Sequence, residues 1–200
     1  MEDSTSNNTE ANFPEYSIVG KELTTFILQP GFVESIIPES LSFDTIPKVY
    51  RYIFRNNKEY AIALWNGVPI RLSYQDDIPF LITELVTFLV DLRDGATSTS
   101  LEVKTINLEF SINANCSLDV LTLTGNFKKV AGSYEKALQS VNMLKMDIQL
   151  FLNEWKLLLD QLQIALERSK TNITSKAAKQ TVQQLQLLNH SIKVKGVLYL

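Results

Sequence analysis

The sequence predicts an α+β protein, with an antiparallel, β-rich head holding one helical insert, then a long heptad-patterned helix and a shorter helix. Three observations lead there. Residues 59–65 alternate, with Tyr60, Ile62 and Leu64 on one face, and run into Asn66-Gly67 and a further strand-like segment to Ser73. Residues 78–92 place Leu81, Ile82, Leu85, Val86, Leu89 and Leu92 at helical spacing. Residues 137–165 repeat apolar side chains at alternating intervals of four and three, the signature of a helical seam.

The elements follow in chain order. Met1 to Asn12 are rich in Ser, Asn, Thr and Glu and read as a disordered tail. Residues 13–132 read as the head. In its first part Pro14, Pro30, Pro38 and Pro47 punctuate the chain, leaving room for short strands at Ser17–Val19 or Thr24–Leu28. Val49–Phe54 is β-branched and aromatic and reads as the first strand of a meander, with Arg55–Lys58 as its turn. Glu59–Trp65 follows, with Tyr60, Ile62 and Leu64 on one face. Asn66-Gly67 is a hairpin turn, because both residues tolerate positive φ, and Val68–Ser73 is the third strand. Asp76 and Asp77 offer an N-cap to a helix over Ile78–Leu92, which Gly95 ends. Leu101–Ile112 and Leu118–Phe127 read as the arms of a hairpin, with a turn at Asn113–Cys116.

Residues 133–200 read as a helical stalk or hairpin with a C-terminal extension. Ser133 caps a helix running to about residue 169, roughly 55 Å long at ~1.5 Å per residue. Its seam is Val141, Leu144, Ile148, Phe151, Trp155, Leu158 and Leu162. These are the candidate interaction residues, as an intermolecular seam or as a face buried against Val182, Leu185 and Leu188. Trp155 suits either a core or an anchor on a partner. Thr171–Ser175 breaks the helix, Lys176–Asn189 is a second one, and Lys193–Leu200 alternates weakly as one further strand or a tail.

Composition narrows the function. Hydrophobic residues make up 45% of the 200 and charged residues 20%, an ordinary globular balance. No apolar run approaches the ~18 residues of a membrane span, and the start has no basic, then apolar, leader pattern. Cys116 is the only cysteine, which fits a reducing, intracellular compartment in cytoplasm or nucleus. His190 is the only histidine; no Ser-His-Asp or Cys-His catalysis by one chain is expected, and one His with one Cys cannot fill a four-ligand zinc site. No glycine-rich phosphate loop occurs. Asp76-Asp77 is read as capping rather than as a cation site. The expectation is a protein that is not an enzyme and holds no cofactor or metal.

The net charge of −3 is unevenly spread. Residues 1–44 hold eight acids against Lys21, while residues 168–200 hold Arg168, Lys170, Lys176, Lys179, Lys193 and Lys195 and no acid. That basic end is a candidate contact for an acidic partner or nucleic acid, or a solvated face. The aromatic and basic residues of the meander are read as sheet packing rather than a base-stacking platform.

The stretch Leu108-Glu109-Phe110-Ser111-Ile112, Leu118–Thr124, and the helix from Tyr134 to Trp155 resembles the head-and-stalk scaffold superfamily of non-homologous end joining, the Cernunnos/XLF-like proteins. The resemblance implies a small β-sandwich head, a dimerising stalk, and DNA contact at the basic end. The expected function is thus a scaffold subunit, assembling with a protein partner or as a homodimer through residues 137–165, in a DNA-repair-type complex. The alternative is a small binding protein of the bacterial immunity or antitoxin type.

Overall fold

A computed structural model describes residues 25–33 and 41–192. The expected tail at Met1–Asn12 and the strands expected at Ser17–Val19 and Lys193–Leu200 lie outside these residues. In chain order the elements are β1 (Phe26–Gln29), β2 (Ser42–Phe43), α1 (Ile46–Ile53), β3 (Tyr60–Trp65), β4 (Val68–Ser73) and α2 (Ile78–Arg93). They continue with β5 (Ser98–Lys104), β6 (Glu109–Ser117), β7 (Val120–Lys129), α3 (Glu135–Ser140), β8 (Met143–Asp147), α4 (Ile148–Ser169), β9 (Asn172–Ile173) and α5 (Lys176–Ser191). One antiparallel sheet has the order β1-β3-β4 and a second β5-β6-β7-β8, while β2 and β9 form a two-residue parallel pair.

The hairpin at Asn66-Gly67 forms, with φ of 47° and 80°, and sets Trp65 opposite Val68. The row it buries is Ala61, Ala63 and Trp65, whereas Tyr60, Ile62 and Leu64 face the more open side. The remaining strand of the meander is β1, not Val49–Phe54. That segment belongs to α1 and the turn after it. Its composition favours a strand, but Ile46, Val49, Tyr50 and Ile53 recur at the helical period and all four are buried. Pro47, in the first turn, is compatible with a helix start. The Tyr50 hydroxyl donates to the Leu162 carbonyl at 3.2 Å, tying α1 to α4.

Helix α2 is apolar around most of its circumference and packs against β5, α1, α4 and α5. It ends as expected at Gly95, φ 84°. Asp77 holds the N-cap position but makes no capping bond. Its buried carboxylate instead accepts from the Ser73 amide at 2.9 Å, from the Thr105 hydroxyl, and from Asn107 Nδ2 at 3.4 Å. The network anchors the β5–β6 connection, so the turn sits at residues 105–108. The expected turn at Asn113–Cys116 lies inside β6: Asn113 and Asn115 face solvent and Ala114 faces the core, which continues the strand's alternation.

The long helix expected from residue 133 to 169 is interrupted. Ser133 has φ 60° and caps nothing; α3 has six residues, and β8 follows. Helix α4 starts only at Ile148, where the Asp147 side chain accepts from the Leu150 amide at 2.9 Å. Two interactions favour the strand. β8 pairs with the otherwise open edge of β7, Val120 opposite Asp147 through Thr124 opposite Met143. The Val141 carbonyl accepts from Trp65 Nε1 at 2.8 Å and from Asn66 Nδ2 at 3.0 Å. In a continuous helix that carbonyl would serve the amide four residues on. Trp65→Phe removes the indole donor but keeps most of the buried ring, and should cost about 1–2 kcal/mol in chemical denaturation.

The chain after residue 132 does not project as a stalk. Buried residues from β1 to α5 form one hydrophobic cluster. Trp155 stacks on Phe26 at a centroid distance of 5.4 Å, and Phe151 meets Phe26 at 4.9 Å and Phe88 at 6.4 Å. The break near residue 171 and the second helix appear as expected. Helix α5 folds back on α4, capped by Ser175, which accepts from the Ala178 amide at 3.3 Å.

Candidate interaction surface

The seven residues of the sequence-derived seam do not share one helix face. Val141 caps α3 and Leu144 lies in β8, leaving Ile148, Phe151, Trp155, Leu158 and Leu162 on α4. Leu144, Phe151, Leu158 and Leu162 are at most 1% exposed and Trp155 is 5% exposed, while Val141 and Ile148 are half-buried. Their packing partners belong to the same chain, so this row is core rather than a surface for another molecule. The Trp155 indole N–H has no hydrogen-bond partner among the described residues.

A second row on α4 is exposed. Leu150, Leu157 and Ile164 are 54%, 55% and 45% exposed and stand seven residues apart. Seven residues nearly complete two turns, so the three side chains form a strip about 21 Å long at ~1.5 Å rise per residue. Both flanks of this strip are tied down. On one side Glu154 Oε2 accepts from the Leu28 amide at 3.1 Å. On that side Gln161 also bridges two elements: Nε2 donates to the Gly31 carbonyl at 3.0 Å, and Oε1 accepts from the Tyr74 hydroxyl at 2.6 Å. On the other side Lys156 Nζ donates to Asp160 at 2.9 Å and to Asn189 Oδ1 at 2.7 Å, and Asn189 Nδ2 donates to Asp160 and Gln163, each at 2.8 Å. In the segment around β1, Ile27 is 41% exposed and Phe32 77%. A rigid helix thus presents a straight apolar strip. Isolated exposed apolar side chains are ordinary, but an aligned row on a braced helix has the layout of a helix-pairing surface. Sequence reasoning missed this row because a second seven-residue repeat runs beside the first in the same helix.

The expected basic contact is partly gathered. Arg168 and Lys170 end α4, Lys176 and Lys179 begin α5, and all four are exposed around the same turn. Lys193 and Lys195 lie outside the described residues.

An open groove of about 610 Å³ runs between α2 and the β5–β6 hairpin, lined by Phe80, Glu84, Glu102, Lys104, Glu109 and Lys128 among others. Lys128 and Glu109 pair across 3.5 Å, and both are exposed enough that the pair contributes little. The Arg51 guanidinium lies 5.7 Å from the Phe80 ring centroid. The lining includes no histidine or cysteine, hence no imidazole base or thiol nucleophile. Burial pushes the thiol of Cys116 up, away from the reactive thiolate. Among the described residues no three His, Cys, Asp or Glu side chains gather as a metal site. None of the described helices is long and apolar enough to cross a membrane. Comparison of the chain with protein-family models, with curated proteins and with solved structures finds no match.

Proposed function

We propose that this chain is a non-enzymatic protein-binding subunit that engages its partner through the outer face of α4. The observation that carries the reading is the strip Leu150, Leu157 and Ile164, exposed on a helix whose two flanks are braced by β1 and α5. Burying such a strip against a partner releases ordered water from three large side chains that are 54%, 55% and 45% exposed, so each contributes about 1 kcal/mol, roughly half the value for burying a fully exposed side chain. The expectation of assembly through residues 137–165 is retained in its region but moved from the buried row to the exposed one. The DNA-repair part of the expectation drew on a projecting stalk; α4 packs into the core, and that part gains no support from its packing. In the immunity-type alternative the same strip would cover a toxin one to one.

The test is capture by the full chain in parallel with its Leu157→Asp variant. Leu157 is exposed, so the variant should fold with a melting temperature close to that of the parent. Specific partners should be lost from the variant, with affinity down about 10- to 100-fold for a central anchor. Equal recovery of the same partners by both chains would show that α4's outer face is not the binding surface.

A further inference from the structure

We infer that the depression where α1 meets the β5–β6 connection binds a nucleotide unit, with Arg51 and Lys104 taking its phosphate and Phe80 and Ile106 facing its ring. The depression has a volume of about 350 Å³ and is lined by these four side chains, Asp76 and Thr105. That is the lower end of the size range of small-ligand sites. None of the lining residues belongs to α4, so the inference stands apart from the reading of α4's outer face.

The helical period of α1 builds the cationic side. Because Ile46, Val49, Tyr50 and Ile53 turn into the core, Lys48, Arg51 and Arg55 are left on the outside. Arg51 and Lys104 are exposed, and neither forms an ion pair with a described residue. Arg51 is instead held through the face of its guanidinium, 5.7 Å from the Phe80 ring centroid. A guanidinium seated on a ring keeps its in-plane N–H fork for an oxyanion. Lys104 comes from the end of β5, and the turn after it is fixed. The Thr105 hydroxyl donates to Asp77 and accepts from the Leu108 amide at 3.0 Å, and Lys129 Nζ donates to the Ile106 carbonyl at 2.7 Å. The two cations thus sit on separately anchored elements, which lowers the ordering cost of binding. Together with Asp76, the one acid of the lining, they leave it net positive in a chain whose formal charge is −3.

The apolar side selects what carries the phosphate. Phe80 is 45% exposed and Ile106 72%, although both line the same depression. Inorganic phosphate would leave that surface wet. A base attached to the phosphate covers it by stacking.

The test is titration of the full chain with thymidine 5′-monophosphate, with a short oligothymidylate and with inorganic phosphate, followed by amide NMR. The amides of Lys104, Thr105 and Ile106 should shift with the nucleotide at about 1 mM or below. Inorganic phosphate should bind about tenfold more weakly, because it lacks the ring. Arg51→Ala and Lys104→Ala, both at exposed positions, should keep the fold and each weaken binding about tenfold. Asp76→Asn removes the negative charge of the lining and should tighten binding about two- to fivefold, with added salt shrinking the gain. An oligomer that binds more tightly than the mononucleotide at equal nucleotide concentration identifies single-stranded nucleic acid as the source, and equal binding identifies a free nucleotide. Amides that stay unshifted with both compounds at about 1 mM would overturn the inference, as would equal affinity for inorganic phosphate. Binding that neither Arg51→Ala nor Lys104→Ala weakens would put the nucleotide elsewhere and overturn the assignment to this depression.

Discussion

Phe151→Ala should destabilise the chain by about 3–5 kcal/mol, the range for truncating a buried aromatic where the surroundings cannot collapse into the space. Phe151 is 1% exposed and lies among Phe26, Phe88 and Trp155, which come from β1, α2 and α4. Those rings are held by separate elements, so the cavity is not filled by a single side chain turning. In a protein of this length the loss corresponds to roughly 10 °C in melting temperature, measured by calorimetry or circular dichroism. Leu157→Ala on the same helix supplies the internal control. That side chain is 55% exposed, so the same chemical change should move monomer stability by less than about 1 kcal/mol. Equal effects of the two substitutions would mean that α4 does not present one face to the core and the other to solvent.

The second large effect is expected at Asp77. Its carboxylate is 1% exposed, and its three partners, the Ser73 amide, the Thr105 hydroxyl and Asn107 Nδ2, are all donors. Asp77→Ala strips these donors of their acceptor in a site that water does not readily reach, at a cost of about 2–4 kcal/mol. Asp77→Asn is no conservative replacement here. It turns one acceptor oxygen into an NH2 group that meets donors, and should cost nearly as much as alanine. Hydrogen exchange distinguishes this network from ordinary packing: the Ser73 and Leu108 amides should lose protection in both variants, while amides within α5 keep theirs. Unchanged exchange at Ser73 would show that the carboxylate does not hold this corner. The sequence places Asp77 correctly at a helix start, yet its partners Thr105 and Asn107 come from a turn about thirty residues on. Local capping logic has no access to such a contact.

Several elements follow from local chemistry alone. Asn66-Gly67 adopts the positive φ values a tight hairpin requires, which sets the register of β3 on β4. Gly95 ends α2 because its φ of 84° suits a residue without a side chain. The repeat from Leu81 to Leu92 makes a helix wherever it packs, since it is apolar at every inward position. Where local signals conflict, the outcome depends on distant partners. Val49–Phe54 has the composition of a strand and the period of a helix. The helix prevails because α2 and α4 supply a groove that buries Val49, Tyr50 and Ile53 together. Residues 141–147 continue a heptad on paper, but the open edge of β7 and the donors of Trp65 and Asn66 draw them into a strand.

The site shows the same division. The sequence by itself determined that the region around residues 148–165 is an apolar-rich helix with a seven-residue repeat, because side-chain spacing is local information. Only the tertiary structure decided which repeat faces inward. Phe151, Trp155, Leu158 and Leu162 were taken by the core because Phe26 packs on the first two, Phe88 meets Phe151 edge-on and Tyr50 bonds beside the last. Leu150, Leu157 and Ile164 were left outside because Glu154 and Gln161 hold β1 on one flank and Lys156 and Asp160 hold α5 on the other. The rotation of a helix about its own axis depends on the elements that flank it, and these are set by contacts between residues far apart in the chain.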